Sequence, residues 1–144
     1  MGEPLLAYDV VSRDLSEGSG RGNVRLRQLL ALALARTCAT EKANTILKEL
    51  KDQGHADGET LGLLARTYKD LWKLVPDIEI GKLHLEAAYN LYFTAFQQAE
   101  QKKNADDGIY NGINAAALCQ FLDRKKRQQP WLVKSKNCAI KGSE

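Results

Sequence analysis

Between Asp57 and Trp72 the chain reads DGETLGLLARTYKDLW, and this stretch restricts the possible folds more than any other. Leu61, Leu64, Ala65, Tyr68, Leu71 and Trp72 recur at three- and four-residue intervals, the spacing that gathers side chains on one face of an α-helix. Asp57 is placed to cap the N-terminus, with Glu59 in the first turn, where the helix dipole favours negative charge. Arg66, Lys69 and Asp70 fall on the opposite side. One helix cannot hide such a stripe, so other helices must cover it.

The flanking sequence supplies them. Val24 to Arg36 is expected to turn Leu26, Leu29, Leu30, Ala33 and Leu34 inward, and with Leu32 it is apolar enough to be covered on both sides. Thr40 is expected to cap a helix running to about Gln53, striped by Ala43, Ile46, Leu47 and Leu50 and stopped by Gly54. The Asp57–Trp72 helix ends before Pro76, and Lys73 to Leu83 reads as an insertion. A longer helix from about Glu79 to Lys102 carries Leu85, Ala88, Tyr92, Ala95, Phe96 and Ala99, broadened by Leu91 and Phe93. Lys103 to Gly108 reads as a polar break, with Asp106-Asp107 in a turn. A short helix from about Gly112 to Arg124 is expected to face Ile113, Ala116, Ala117 and Phe121 inward. At the N-terminal end, Leu5, Leu6, Val10 and Val11 indicate a short helix over Pro4 to Leu15, followed by a glycine-rich loop, Glu17 to Gly22. No strand precedes that loop and no Gly-Lys-Ser/Thr follows it, so it is not a phosphate cradle. No segment alternates as a strand would.

The stripes also repeat. Leu30-Ala31 returns as Leu64-Ala65, 34 positions later, each in the middle of the first helix of a pair. In the second helices Ala43, Leu47 and Leu50 share their spacing with Ala88, Tyr92 and Ala95, and Ala7, Val11 and Asp14 repeat the offsets. Small residues at such points let helices approach closely, and a period near 34 residues is that of the tetratricopeptide unit. The fold class expected is therefore all-α: a tetratricopeptide-like solenoid of about three antiparallel helix pairs over residues 1–127, with a weakly patterned tail over 128–144.

GLLARTYKDLW, HLEAAYNLYFTAFQQA and YNGINAAAL also resemble the tetratricopeptide region called the TRAFs-binding domain, found in the central regulatory part of apoptosis signal-regulating kinases and in many bacterial proteins. The similarity lies in Tyr68-Lys69-Asp70 on one helix and Gly112-Ile113-Asn114 on another, spans most of Leu5 to Arg124, and is stronger towards the bacterial members. In the kinases the region is a non-catalytic platform. The resemblance thus implies binding or scaffolding.

Composition excludes little. At 44% hydrophobic and 27% charged residues the chain is of an ordinary globular type, and a net charge of +3 is too small to imply nucleic acid or membrane. Cys38, Cys119 and Cys138 are odd in number and lack a Cys-x-x-Cys spacing, so neither a metal framework nor disulfides are expected. No cofactor is expected. The N-terminus has no secretory pattern, Leu6 stands where a myristoylation signal needs Ser or Thr, and no run is long enough to span a bilayer, so a cytoplasmic location is expected.

In a helix-pair solenoid the first helices line a concave groove that receives a peptide. Spacing assigns Arg25, Gln28, Arg66, Lys69, Asn111 and Asn114 to that groove, the amides suited to a peptide backbone and the cations to carboxylates. The lysine-and-asparagine clamp that holds a chaperone's C-terminal carboxylate is not reproduced, because Gln28, Leu32, Gly62 and Leu118 occupy the clamp points. No enzyme is expected: His55, His84, Glu86 and Cys119 form no catalytic pattern, and the spacing of Asp106-Asp107 is not that of a calcium loop. The reading is a non-enzymatic interaction or regulatory module for a protein or peptide partner. Three alternatives stand beside it. Tyr89, Tyr92 and Phe93 could wall a small-ligand site, an uncovered terminal helix could self-associate, and Arg124-Lys125-Lys126-Arg127 with Lys134, Lys136, Lys141 and Trp131 could meet RNA or an acidic surface.

Overall fold

A computed structural model describes Asp9, Arg13 and residues 23–128, with side chains as far as Asp123. Apart from the helical Asp9 and Arg13, the expected Pro4–Leu15 helix lies outside the described residues, as do the glycine-rich loop and the tail from residue 129. The described chain is wholly helical: α1 (Val24–Arg36), α2 (Thr40–Asp52), α3 (Gly58–Leu74), α4 (Ile78–Lys102) and α5 (Ala105–Gln128). Consecutive helices pack antiparallel, giving the tetratricopeptide-like helix-pair solenoid that the repeat implied.

α3 sits between two cores. Leu30, Ala31, Leu34, Ala43, Leu47, Leu50 and Leu64 form one; Ala65, Leu85, Ala88, Tyr89, Tyr92, Ala115, Leu118, Cys119 and Leu122 form the other. Leu64 and Ala65 are neighbours in sequence yet serve different cores, while Tyr68 and Leu91 pack against both. The repeated small residues Ala31, Ala43, Ala65, Ala88 and Ala95 are fully buried, as close helix approach requires.

Capping follows the sequence in places and departs from it in others. Asp57 caps α3 by accepting from the Thr60 amide at 2.7 Å, and Asp77 caps α4 by accepting from Ile80 at 3.0 Å. Thr40 does not cap α2. Ala39 holds that position without a side-chain bond, and Thr40 is buried inside the first turn. α1, α2 and α4 all stop in the same way. A left-handed residue, Cys38 (φ 63°), Gly54 (φ 93°) or Lys103 (φ 54°), is followed by an amide that reaches back 2.9 Å to the carbonyl of Leu34, Leu50 or Ala99. Only Gly54 advertises that geometry, because a side chain disfavours it at the other two positions.

Several expectations need correction. Lys73 to Leu83 is not a separate segment between the helices: α3 runs through Leu74, Val75 and Pro76 break the helix, and α4 begins at Ile78. The surplus residues lengthen the α3–α4 hairpin, where Gly81 lets the α4 backbone close on Trp72. The Lys103–Gly108 break is only Lys103 and Asn104, with Asp106 and Asp107 in the first turn of α5. Asn104 caps that helix, its Oδ1 accepting from the Asp107 amide at 3.4 Å and its Nδ2 donating to the Asp107 carboxylate at 2.7 Å. α5 therefore starts seven residues earlier than Gly112. Its inward face is Asn111, Ala115, Leu118, Cys119 and Leu122, whereas Ile113, Ala116 and Ala117 are exposed; Phe121 packs against the core as expected. On α1, Leu29 is likewise exposed.

Replacing Lys103 with Gly removes a strained left-handed side chain and is expected to raise unfolding stability by about 0.5–1 kcal/mol. Denaturant titration checks this; a fall in the midpoint contradicts it. Leu47→Ala, at a side chain 1% exposed, is expected to lose about 2–5 kcal/mol by the same assay.

Candidate binding face

Among the first helices of the pairs, α3 touches α1 on one side and α5 on the other, and α2 and α4 pack behind this layer. Two seams join this layer. Across the α1–α3 seam, Gln28 donates to Thr60 Oγ1 at 2.9 Å and to the Asp57 carboxylate at 3.2 Å, while Arg25 pairs with Glu59 at 3.2 Å. Across the α3–α5 seam, a side chain on Gly62 would meet Asn111 Oδ1 at 3.0 Å, and one on Gly58 would meet Asp107 at 3.2 Å. The missing Cβ atoms let the two helices approach this closely.

The structure divides the six residues assigned to the groove. Gln28 and Asn111 are 3% and 1% exposed, shut inside the seams. Asn111 Nδ2 donates to the Asp107 carbonyl at 2.9 Å, and its buried Oδ1 faces Gly62 with no hydrogen-bond partner among the described groups. Arg25 is exposed but held by its ion pair with Glu59. Arg66 projects from the exposed side of α3. Lys69 crosses to α5, where its Nζ donates to Asn114 Oδ1 at 3.1 Å. Asn114 is fixed in turn, its Nδ2 donating to the Tyr110 carbonyl at 2.9 Å.

Two aromatic residues complete this cluster, and neither was assigned to it from sequence. Tyr92 of α4 is fully buried, its ring centroid 5.7 Å from Lys69 Nζ and 6.1 Å from the Tyr110 ring. The periodicity identified Tyr92 only as core. Tyr110 was passed over because the expected helix begins at Gly112, seven residues too late, which leaves Tyr110 outside it. Burial, then Tyr110, pushes the Tyr92 phenol well above its usual range, so it stays neutral. Burial also lowers the Lys69 amine, with Lys73 and Arg66 adding to the shift and Asp70 opposing it.

The other candidate chemistry is placed differently. Tyr89 and Tyr92 are part of the core, with Phe93 packed against it. An open apolar depression of about 330 Å³ lies at the α4–α5 turn, beside Phe96, Ala99 and Ile109. His84 stacks on Tyr68 with centroids 5.8 Å apart. Among the described residues, no three His, Cys, Asp or Glu side chains gather as a metal site, and no helix is long and apolar enough to cross a membrane. Cys38 is exposed and Cys119 buried, both as free thiols. Cys138, Trp131, Lys134, Lys136 and Lys141 lie outside the described residues.

A family described as Tetratricopeptide Repeats-Sensor matches residues 7–119 of the 144. The chain belongs to that family. The Tetratricopeptide Repeats-Sensor match takes in α1 to α4 and α5 as far as Cys119. No match is found among curated proteins or solved structures.

Gly62→Ala gains helix propensity but presses on Asn111. The two sites are therefore expected to couple by about 1 kcal/mol, with Gly62→Ala costing stability in the natural chain and gaining it beside Asn111→Ala. A double-mutant cycle by denaturation measures this, and additive effects contradict it. The Lys69 amine, followed by NMR, is expected to titrate below the ordinary lysine value; titration at or above that value contradicts the assigned desolvation.

Proposed function

We propose that the chain is a non-enzymatic interaction or regulatory module that receives a protein or peptide partner on the face built by α1, α3 and α5. The observation that carries this reading is the mixture of side chains left open there. Leu29 on α1 and Tyr110 and Ile113 on α5 are 43%, 50% and 65% exposed, with Arg66 between them on α3. Exposed apolar side chains beside polar ones are the usual make-up of a protein-binding surface. Of the six residues read as the peptide-binding groove, Arg25, Arg66, Lys69 and Asn114 meet the partner in this proposal. Gln28 and Asn111 hold the helices that present them.

The resemblance of Tyr68-Lys69-Asp70 and Gly112-Ile113-Asn114 to the TRAFs-binding domain supports the same role, that of a platform in a cytoplasmic regulatory protein. A small-ligand sensor is the second reading, favoured by the family's description and by the apolar depression at the α4–α5 turn.

A photo-crosslinking residue distinguishes the faces. Placed at Ile113 it is expected to trap the partner in extract of the source cell, whereas placed at Lys48, exposed on α2, it is expected to trap none. Trapping from Lys48 alone overturns the assignment.

A further inference from the structure

The cations on the open side of α3 are poorly balanced. Arg66, Lys69 and Lys73 lie three and four residues apart, within reach of one another's charge. Asp70 is the acidic group beside them, and it is engaged by Lys73 at 3.4 Å. Glu59, the next acidic residue towards the N-terminus of α3, is engaged by Arg25 at 3.2 Å. Among the described residues, neither Arg66 nor Lys69 has a carboxylate within ion-pair distance. Lys69 is the more telling of the two because it is half-buried, and burying an ammonium without a counter-charge is unfavourable. Burial, Lys73 and Arg66 all depress its affinity for a proton.

The surroundings nevertheless hold that ammonium in one place. Asn114 Oδ1 accepts one of its three hydrogens at 3.1 Å, and Asn114 is itself oriented by its bond to the Tyr110 carbonyl. The Tyr92 ring lies 5.7 Å from the charge and offers its π-face. A third donor remains, and Arg66 one turn earlier adds an exposed guanidinium suited to a carboxylate. On the α5 side the exposed Tyr110 and Ile113 form an apolar shelf. A fixed ammonium, an adjacent guanidinium and an apolar shelf together match a short acidic segment in which a carboxylate neighbours a hydrophobic side chain.

We propose that Lys69 and Arg66, with Asn114 as positioning residue and Tyr110 and Ile113 as an apolar border, form a subsite for the carboxylate of an acidic peptide segment. This rests on the open α1–α3–α5 face being the binding face, and it adds the chemistry of the partner. Occupation of the subsite supplies the counter-charge that the fold withholds from Lys69.

The test is an unbiased peptide array probed with the full chain, its Lys69→Met and Arg66→Gln variants, and an Ile113→Arg variant that blocks the shelf. Circular dichroism melts confirm that each variant folds, and Lys69→Gln replaces Lys69→Met if it does not. The expected result is enrichment of peptides that carry Asp or Glu next to an apolar residue, with replacement of that acid by Gln weakening binding about tenfold. Lys69→Met and Arg66→Gln should abolish the acidic preference and leave the apolar one, and added salt should weaken the natural chain more than either variant. Bound peptide should also raise the Lys69 titration towards the ordinary lysine value. Retention of neutral peptides, lost on Ile113→Arg, overturns the carboxylate subsite and leaves the binding face standing. Retention unaffected by Ile113→Arg overturns both. Displacement by inorganic phosphate but not by acetate at equal ionic strength also overturns the carboxylate assignment, in favour of a phosphate site.

Discussion

The burial of α3 on two sides is the constraint from which the remaining geometry follows. Consecutive residues, Leu64 and Ala65, point into different cores, and Tyr68 bridges them. A helix used in this way has little circumference left for solvent. What remains is a narrow strip carrying Glu59, Arg66 and Lys73, flanked by the seams to α1 and α5. Because the strip is narrow, its charges lie close together. Because the seams are tight, the side chains along them are held in fixed partnerships such as Gln28 with Thr60 and Lys69 with Asn114.

Buried polar contacts set the register between helices that apolar packing alone would let slide. Asn44 donates to Thr67 at 2.9 Å between α2 and α3, and Thr67 donates to the Leu64 carbonyl at 2.7 Å. Gln28 performs the same service between α1 and α3. Each of these groups is buried and bonded, so a slip of one turn would strand it without a partner. The face available to a partner is thus held by interactions that never touch one.

Much of this was legible in the sequence. Stripes with a period of 3.6 residues and the 34-residue recurrence place α1, α2 and α3 within a residue or two, because each of those helices carries an unbroken apolar pattern along its length. α5 was misread because the polar run ending in Gly108 was taken as a break and Gly112 as the start of the helix. Both glycines are instead points where the helix backbone closes on α4: a Cβ on Gly112 would meet Phe96 at 3.0 Å, and one on Gly108 would meet Ala99 at 3.6 Å. Composition cannot tell a glycine kept for contact from one kept for a turn. The candidate site was legible only in part for a related reason. Helical spacing does not tell how far a neighbouring helix covers the flank of a stripe, so it cannot separate a residue left on the open strip, such as Arg66, from one shut in a seam, such as Asn111. Tyr92, which completes the Lys69 environment from the second layer, lies beyond any single-helix pattern.

The central claim is that α3 couples the two cores, so that neither helix pair holds its structure without it. Native-state hydrogen exchange on Leu64→Ala tests this directly, since that side chain packs only in the α1–α2 core. The account predicts that protection falls together in α1, α2, α4 and α5. Loss of protection confined to α1 and α2, with α4 and α5 unchanged, would contradict it.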